Sequence, residues 1–259
     1  MLCLFSLTLA LVLPAEAEDF VLLRGHSPIL IVSVHGGSQA LLGAPIRQKQ
    51  SSKDPRFSIK KDLVTQEIAE LYHRCFQTSS PMSFQPSLLT SLVHRKYVDL
   101  NRPVLLSSEH PKARKFHRSF HEALSEEIER VQNEFGWVLL LDIHGQSTKS
   151  IDLVLGTRQG QSISPWSKTH LWSSQGLLRK LQDKGFSYAP SEPEEKFSFG
   201  GGYITRHYGQ NKRVEAWQLE HGRTLRFDHP LNRKFVRLFV QEISQAMTTQ
   251  RSSTGWFSP

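Results

Sequence analysis

The sequence predicts an α/β fold: a single domain with a mostly parallel or mixed central sheet and helices on both faces. Two observations support this prediction. Apolar runs at 29–34 and 138–143 are typical of strands that are buried on both faces. Strand patterns alternate with long helical patterns, as in sheets covered by helices. The chain has 259 residues, of which 38% are hydrophobic, so it is large enough for one such domain.

The elements follow from the spacing of apolar residues along the chain. Helical spacing predicts helices at about 62–76, 111–135, 166–184 and 230–247. Strands are predicted at 29–34, 89–93, 138–145, 151–156 and 214–219. Asp62 is suited to cap the first helix, because a carboxylate accepts the free N–H groups of a first turn.

The amino-terminal segment predicts a secreted protein. Residues 1–13 are almost wholly apolar, and Ala15 and Ala17 match the small-residue pattern of a cleavage site. We therefore expect a signal peptide at 1–17, followed by one single domain at 18–259. An uncleaved anchor or a misassigned start remains the alternative. No other segment is long and apolar enough to insert stably in a membrane.

The charge favours an anionic partner. The formal net charge is +8, which can steer a small anionic substrate towards the protein or simply keep it soluble. The basic residues are spread along the chain, so we expect no nucleic-acid binding. Cleavage at the predicted site would leave Cys75 as the one remaining cysteine, and its helical surroundings indicate a core position.

Two histidines indicate a metal site. His35 and His144 each follow a predicted core strand and each precede glycine. A single such histidine is most simply a polar residue at a strand end, but two with the same pattern favour a shared metal. A catalytic zinc takes three protein ligands and leaves one position for water. The third ligand is expected to be a carboxylate: Asp62, or in its place Asp54 or Glu67.

Other polar residues lie near the same strand ends. Asp142 could accept the second ring N–H of His144 or could face the substrate. Glu220 could act as a general base, with Gln218 on the same face of its strand. The alternative for Glu220 is an ion pair at an edge strand with Arg223 or Arg226.

Arginines provide candidates for substrate binding. Arg102, which follows Asn101, carries a planar guanidinium that binds carboxylates through two hydrogen bonds. Arg95 and Arg206 could assist it.

Together these motifs resemble the N-formylglutamate amidohydrolase family, which is similar in fold to the zinc carboxypeptidases, a phosphorylase/hydrolase-like architecture. The resemblance covers about residues 29–226. It is carried by the segments Ser33-Val34-His35-Gly36-Gly37, Asp62-x-x-Thr65, Arg95-x-Tyr97-Val98-Asp99-Leu100-Asn101-Arg102, Leu141-Asp142-Ile143-His144-Gly145 and Gln218-Leu219-Glu220.

The resemblance implies a zinc-dependent amide hydrolase. It implies that His35, Asp62 and His144 hold the zinc and that Glu220 is the general base. Asn101 and Arg102 resemble the pair that grips a substrate carboxylate in that fold. The segment 202–206 looks like the family's glycine-led substrate segment, which brings in Arg206.

The chain also departs from the family pattern. Val34 stands where the family usually has proline, and Gly145 stands where serine is frequent. Together with the predicted secretion, this favours an N-acyl amino acid other than formylglutamate, or a peptide end, as the substrate. The alternatives are a secreted zinc exopeptidase and a secreted protein that binds anionic ligands without catalysis. The sequence does not indicate an oligomeric state.

Overall fold

The computed structural model describes residues 19–48, 57–195 except 80–83, and 198–251. Its strands are β1 Phe20–Leu23, β2 Ile29–Ser33, β3 Ser87–Ser91, β4 Val138–Gly145, β5 Leu153–Gly156, β6 Tyr188–Ala189 and β7 Val214–His221. Its helices are α1 Thr65–Ser79, α2 Val104–Ser107, α3 Pro111–Phe135, α4 Pro165–Trp172, α5 Leu177–Asp183, α6 Tyr203–Tyr208, α7 Arg223–Phe227 and α8 His229–Arg251.

The strands form one mixed sheet in the order β1-β3-β2-β4-β7-β5-β6. The four central strands β3, β2, β4 and β7 run parallel to one another. Next to them, β5 runs antiparallel to β7, and β1 runs antiparallel to β3. The predicted α/β class with a mixed, mostly parallel sheet is therefore confirmed, and the carboxyl ends of β2, β4 and β7 meet at one edge.

Helices cover both faces of the sheet because the side chains of each strand alternate between faces. On β2, Ile29 and Ile31 pack in one apolar cluster with residues of α1 and α8. The intervening Leu30 and Val32 pack in a second cluster with residues of α3. Both faces of the central strands are thus buried, as their apolar sequences predict. Within the described ranges, no helix combines the length and apolarity that a membrane span requires.

The first helix begins later than predicted. It starts at Thr65 rather than near Asp62, and the prediction that Asp62 caps it is wrong. Val64 has a left-handed φ of 73°, which interrupts helical geometry just before the helix. The main-chain oxygen of Asp62 accepts hydrogen bonds from the N–H (3.3 Å) and hydroxyl (2.8 Å) of Thr65. The Asp62 carboxylate therefore does not cap the first turn of α1.

Smaller differences have local causes. The single helix predicted at 166–184 is two helices, α4 and α5. Between them, Gly176 approaches the main chain so closely that a Cβ would lie 2.7 Å from the oxygen of Leu171. The strand predicted at 89–93 lies at Ser87–Ser91, and the one predicted at 151–156 begins at Leu153. The predicted signal peptide at 1–17 and Asp54 lie outside the described residues, so both stay predictions.

Candidate active site

The predicted functional residues gather at the carboxyl edge of the parallel strands. His35 follows β2, while His144 and Glu220 lie near the ends of β4 and β7. The register of β4 and β7 pairs His144 with Glu220 and Asp142 with Gln218. Side chains at the carboxyl ends of parallel strands share one crevice, which is where open α/β sheets bind their ligands.

Asp62 lies between the two histidines. Its Oδ2 is 3.4 Å from Nδ1 of His35 and 3.1 Å from Nδ1 of His144. The candidate ligand atoms of the three residues all lie within 4.8 Å of one another. Of the competing carboxylates, Glu67 is exposed on α1 and is not part of this cluster. The structure therefore brings together the three residues that the sequence proposed as metal ligands.

The cluster fits a tetrahedral zinc ion. Zinc–ligand distances near 2.0–2.1 Å separate the ligand atoms of a tetrahedron by about 3.3 Å, close to the two Asp62–histidine distances. Nδ1 of His35 is buried and, among the described residues, has no hydrogen-bond partner. A buried nitrogen without a partner costs free energy unless something satisfies it. A cation between the three side chains would satisfy it.

The outer nitrogens of both histidines face buried carboxylates. Nε2 of His35 lies 2.7 Å from Oδ1 of Asp99, and Nε2 of His144 lies 3.0 Å from Oδ1 of Asp142. His35 can therefore donate its Nε2–H to Asp99 and keep the Nδ1 lone pair for the cluster, the arrangement that supports histidine ligands of metals. Asp142, proposed either to support His144 or to face the substrate, lies beside the outer nitrogen of His144 as a charge contact, and that nitrogen also meets Nδ2 of Asn101 at 3.1 Å. Asp99 was not singled out from the sequence.

Arg95 binds Asp99. Its Nε and Nη2 donate to Oδ2 of Asp99 at 3.0 and 2.9 Å, and its Nη1 lies 3.7 Å from Oδ1 of Asp62. Burial alone would raise the pKa of Asp99, but His35 and Arg95 hold that pKa well below its ordinary value. Arg95, proposed as a substrate ligand, thus stabilises the carboxylate that orients His35. Buried Arg47 also approaches Asp99, at 3.7 Å.

Opposite charges shift the pKa values inside the cluster. Burial would raise the pKa of Asp62, yet its hydrogen bond with His144 and the nearby charge of His35 lower it strongly. Burial would lower the pKa of His144, but Asp142, Asp62 and Glu220 raise it well above its ordinary value. The site therefore keeps its carboxylates ionised around a positive charge. A divalent cation would supply that positive charge.

Glu220 is held by Gln218. Burial raises the pKa of Glu220, and the positive field of His144 opposes this only in part. Nε2 of Gln218 donates to Oε1 of Glu220 at 2.8 Å, and Oε1 of Gln218 accepts the N–H of Gly202 at 2.5 Å. Gln218 therefore connects the candidate base to the glycine-rich segment. Since β7 lies inside the sheet, Glu220 is not at an edge strand.

Arg226 explains one departure from the family pattern. Its Nη1 donates to the oxygen of Leu63 at 2.7 Å and its Nη2 to that of Gln146 at 2.9 Å, rather than to Glu220. A Cβ on Gly145 would lie 2.6 Å from Nε of this guanidinium. The glycine after His144 therefore makes room for Arg226.

The residues proposed for substrate binding have different environments. Asn101 lies at the cluster, with Nδ2 3.1 Å from Nε2 of His144, and its Oδ1 accepts the N–H of Ile204 at 2.9 Å. Arg102 is buried, and its Nη1 donates to the oxygen of Asn101 at 2.8 Å. Arg206 is exposed, and its Nε donates to the oxygen of Gly201 at 2.9 Å. The structure joins Asn101 to the glycine-led segment, as the resemblance implies.

Two histidines of α3 support this region and were missed in the sequence. Nε2 of His117 is 2.8 Å from the main-chain oxygen of Arg102, and Nε2 of His121 is 2.9 Å from that of Leu100. The hydroxyl of Tyr208 on α6 meets Nδ1 of His121 at 2.9 Å. Their spacing of four residues on one helix face was a usable signal, but no prediction was made from it.

Known proteins are similar to this chain in sequence. The family model for N-formylglutamate amidohydrolase matches residues 106–226. N-formylglutamate deformylase of Pseudomonas aeruginosa is 27% identical over 225 residues, covering 76% of this chain and 81% of the relative. N-formylglutamate deformylase of Pseudomonas putida is 34% identical over 112 residues, covering 40% of this chain and 38% of that protein.

A solved structure shares the fold. The crystal structure of N-formylglutamate amidohydrolase from Ralstonia eutropha JMP134 superposes with a TM-score of 0.64. The match covers 90% of this chain and 99% of the other, at 19% identity, so it speaks for the fold alone. The sequence comparisons support the N-formylglutamate amidohydrolase family and a hydrolase of that type, and the solved structure shows the shared fold. The resemblance predicted from the motifs is confirmed.

Proposed function

We propose that this chain, a relative of the N-formylglutamate amidohydrolases, is a zinc-dependent amidohydrolase that cleaves the amide bond of an N-acyl amino acid or a related small carboxylate-bearing substrate. The main support is the cluster of His35, Asp62 and His144, in which a carboxylate oxygen faces two inward nitrogens at 3.1 and 3.4 Å. Glu220 is the residue that pairs with His144 on the neighbouring strand.

His35, Asp62 and His144 would hold the metal. A bound zinc ion supplies a Lewis acid that polarises an amide carbonyl and lowers the pKa of water. Asp99 is hydrogen-bonded to the outer nitrogen of His35, and the Asp142 carboxylate lies 3.0 Å from that of His144, while both rings present Nδ1 inward. Supporting carboxylates of this kind fix the ring orientation and raise the basicity of the ligand.

Glu220 serves as the general base. Its carboxylate accepts a proton from the attacking water and passes this proton to the nitrogen of the leaving amine. The burial that raises its pKa brings that pKa closer to neutral pH, where a base also works as a proton donor. Gln218 donates to Oε1 of Glu220 and so leaves Oε2 for the proton.

Arg102 is proposed to orient the substrate through the substrate's carboxylate, with Asn101 beside it and Arg206 in support. The guanidinium binds a carboxylate in a fixed plane, which aligns the amide with the cluster. The net charge of +8 favours such anionic substrates. The apolar segment and the Ala15–Ala17 pattern support action outside the cell that makes the protein.

The test is the substitution Glu220→Gln. We expect this variant to bind zinc like the wild type while its kcat falls by about 10²–10⁴, the usual contribution of a general base. Glu67→Gln, at an exposed position on α1, is the matched control and should retain both zinc and turnover. Zinc content and steady-state hydrolysis of N-acyl amino acids are the measurements. Near wild-type turnover by Glu220→Gln would refute the assigned base.

A substrate panel separates this proposal from its rivals. Equal amounts of N-acyl amino acids and short unblocked peptides are offered to the zinc-loaded chain, and release of free amine is measured. Preference for the N-acyl amino acids supports the proposal, whereas preference for peptides supports a zinc exopeptidase. A chain that takes up no zinc and cleaves neither class would be a binding protein.

A further inference from the structure

An open groove of about 600 Å³ lies outside the candidate active site. It is lined by Lys149, from the segment after β4, and by residues 223–224 and 227–230, from α7 and the start of α8. Its volume is in the range of sites that bind small molecules. None of these lining residues belongs to the cluster of His35, Asp62 and His144.

The walls of the groove continue directly from the strands that carry His144 and Glu220. Lys149 follows β4, and Arg223 opens the helix after β7. The two walls are joined by main-chain hydrogen bonds, from the N–H of Arg223 to Thr148 (3.1 Å) and from the N–H of Gln146 to His221 (3.0 Å). The groove is therefore an extension of the strand edge at which the candidate active site lies.

Arg226 connects the groove to the cluster. Its guanidinium donates to the main-chain oxygen of Leu63, the residue after Asp62, and its Cζ lies 5.4 Å from the ring centre of Phe227 in the groove. Leu63 and Phe227 are 48% and 44% exposed. Apolar surface therefore flanks this arginine both next to Asp62 and in the groove.

The groove combines apolar surface with positive charge. Phe227 and Pro230 supply the apolar part, and the exposed side chains of Lys149 and Arg223 supply the cations. The acid in the lining, Asp228, uses Oδ1 to accept the N–H of Leu231 at 2.9 Å in the first turn of α8. A ligand with an apolar stem and an anionic end matches this combination.

We infer that this groove binds the acyl part of the substrate, and that this acyl group is a dicarboxylic one, longer than formyl, with an apolar stem and a free carboxylate. The inference rests on the proposed function. Hydrolysis adds the oxygen of water to the acyl carbon, breaks the carbon–nitrogen bond and leaves the proton on nitrogen. The products are a dicarboxylic acid and a free amino acid. A formyl group has no atoms that could reach the groove.

The experiment compares kcat/KM for N-glutaryl, N-pentanoyl and N-formyl derivatives of one amino acid. The glutaryl and pentanoyl groups have the same chain length and differ in the terminal carboxylate. We expect the wild type to prefer glutaryl over pentanoyl by about tenfold, as two partly exposed charge pairs allow. The double variant Lys149→Glu/Arg223→Glu should abolish or reverse this ratio. Because the ratio is taken within one variant, a general loss of activity cancels.

The matched control is Lys212→Glu/Arg213→Glu, which makes the same charge change at exposed positions before β7, at the opposite edge of the sheet. It should retain the glutaryl preference. Wild-type enzyme that hydrolyses the formyl substrate but shows no glutaryl preference would overturn the groove inference alone, as would a preference that survives the Lys149/Arg223 reversal. Failure to hydrolyse all three substrates would overturn the proposed function as well.

Discussion

The protein contains two pairs of closely spaced histidines that look alike and differ in chemistry. The rings of His35 and His144 lie 4.7 Å apart at the carboxyl edge of the sheet. The rings of His117 and His121 lie 4.3 Å apart on α3. The first pair faces Asp62 with its inner nitrogens and Asp99 and Asp142 with its outer nitrogens. The second pair faces main-chain oxygens and the hydroxyl of Tyr208.

The carboxylates decide what each pair can do. Despite burial, they raise the pKa of His144 well above its ordinary value. Without a carboxylate against it, His121 responds to burial and to the nearby His117, and its pKa falls to about 3. The surroundings of the first pair therefore stabilise a positive charge near its rings. The second pair stays neutral and forms hydrogen bonds with main-chain oxygens. Proximity of two histidines therefore does not by itself indicate a metal site.

Removing the charge of Asp99 should have the largest effect on stability. Asp99→Asn removes the carboxylate to which the buried Arg95 donates two hydrogen bonds, and breaking a buried ion pair costs about 3–5 kcal/mol of unfolding free energy. Urea denaturation measures this loss. Glu70→Gln, which breaks the exposed pair of Glu70 with Arg74, is the control and should cost less than about 0.5 kcal/mol. A similar small cost for Asp99→Asn would show that the Arg95 pair is not needed.

Asp142→Asn should weaken zinc binding more than it weakens the fold. The asparagine retains the size of the side chain but loses the charge that supports Nε2 of His144, which we expect to lower zinc affinity about 10–100-fold. His117→Gln is the comparison variant, because it changes a histidine of the other pair, and its zinc affinity should equal that of the wild type. Competition with a chromogenic chelator measures both values. Equal losses in the two variants would contradict the distinction between the pairs.

The neutral pair should make the protein less stable in acid. His121 has a pKa of about 3 in the folded protein, and it is lowered by burial, His117 and His207. The unfolded chain, with an ordinary value near 6.5, binds the proton first as the pH falls. We therefore expect stability to be full above about pH 6.5 and to drop by about 1–3 kcal/mol between pH 6.5 and 4.5. Denaturation at several pH values should show a smaller drop for His121→Gln, and an unchanged drop would contradict the assignment.

The smallest predicted effect concerns Tyr208. Tyr208→Phe removes the hydroxyl that meets Nδ1 of His121 and should cost about 1 kcal/mol, the usual net contribution of one hydrogen bond. Zinc affinity should not change. Tyr203→Phe, at a half-buried position of the same helix α6, keeps the ring beside His121 and is the control with little expected cost. A larger loss of zinc affinity than of stability in Tyr208→Phe would mean that the two histidine pairs are coupled.

The sequence predicted the features that depend on local pattern. Helix α3 has the predicted bounds, since proline opens it and Gly136 takes a left-handed φ of 84° at its end. The central strands β2 and β4 were recognised from their apolar runs. Asp142 was proposed as one possible partner of His144 because both lie on one face of the same strand.

The features that the sequence did not reveal depend on tertiary contacts. Asp99 and His35 are 64 positions apart, and no local pattern links a carboxylate in a loop to a histidine at a distant strand end. Asp62 was expected to cap a helix, but the left-handed turn at Val64 separates it from α1. The pair on α3 was not singled out, because the main-chain oxygens that it holds belong to another segment.

The most direct test of the central claim is an anomalous difference map at the zinc absorption edge, from crystals of the wild-type chain grown with zinc. We expect one strong peak between Nδ1 of His35, Nδ1 of His144 and the carboxylate of Asp62. This peak should be absent in Asp62→Asn. No peak at this cluster, or a peak between His117 and His121 instead, would contradict the claim.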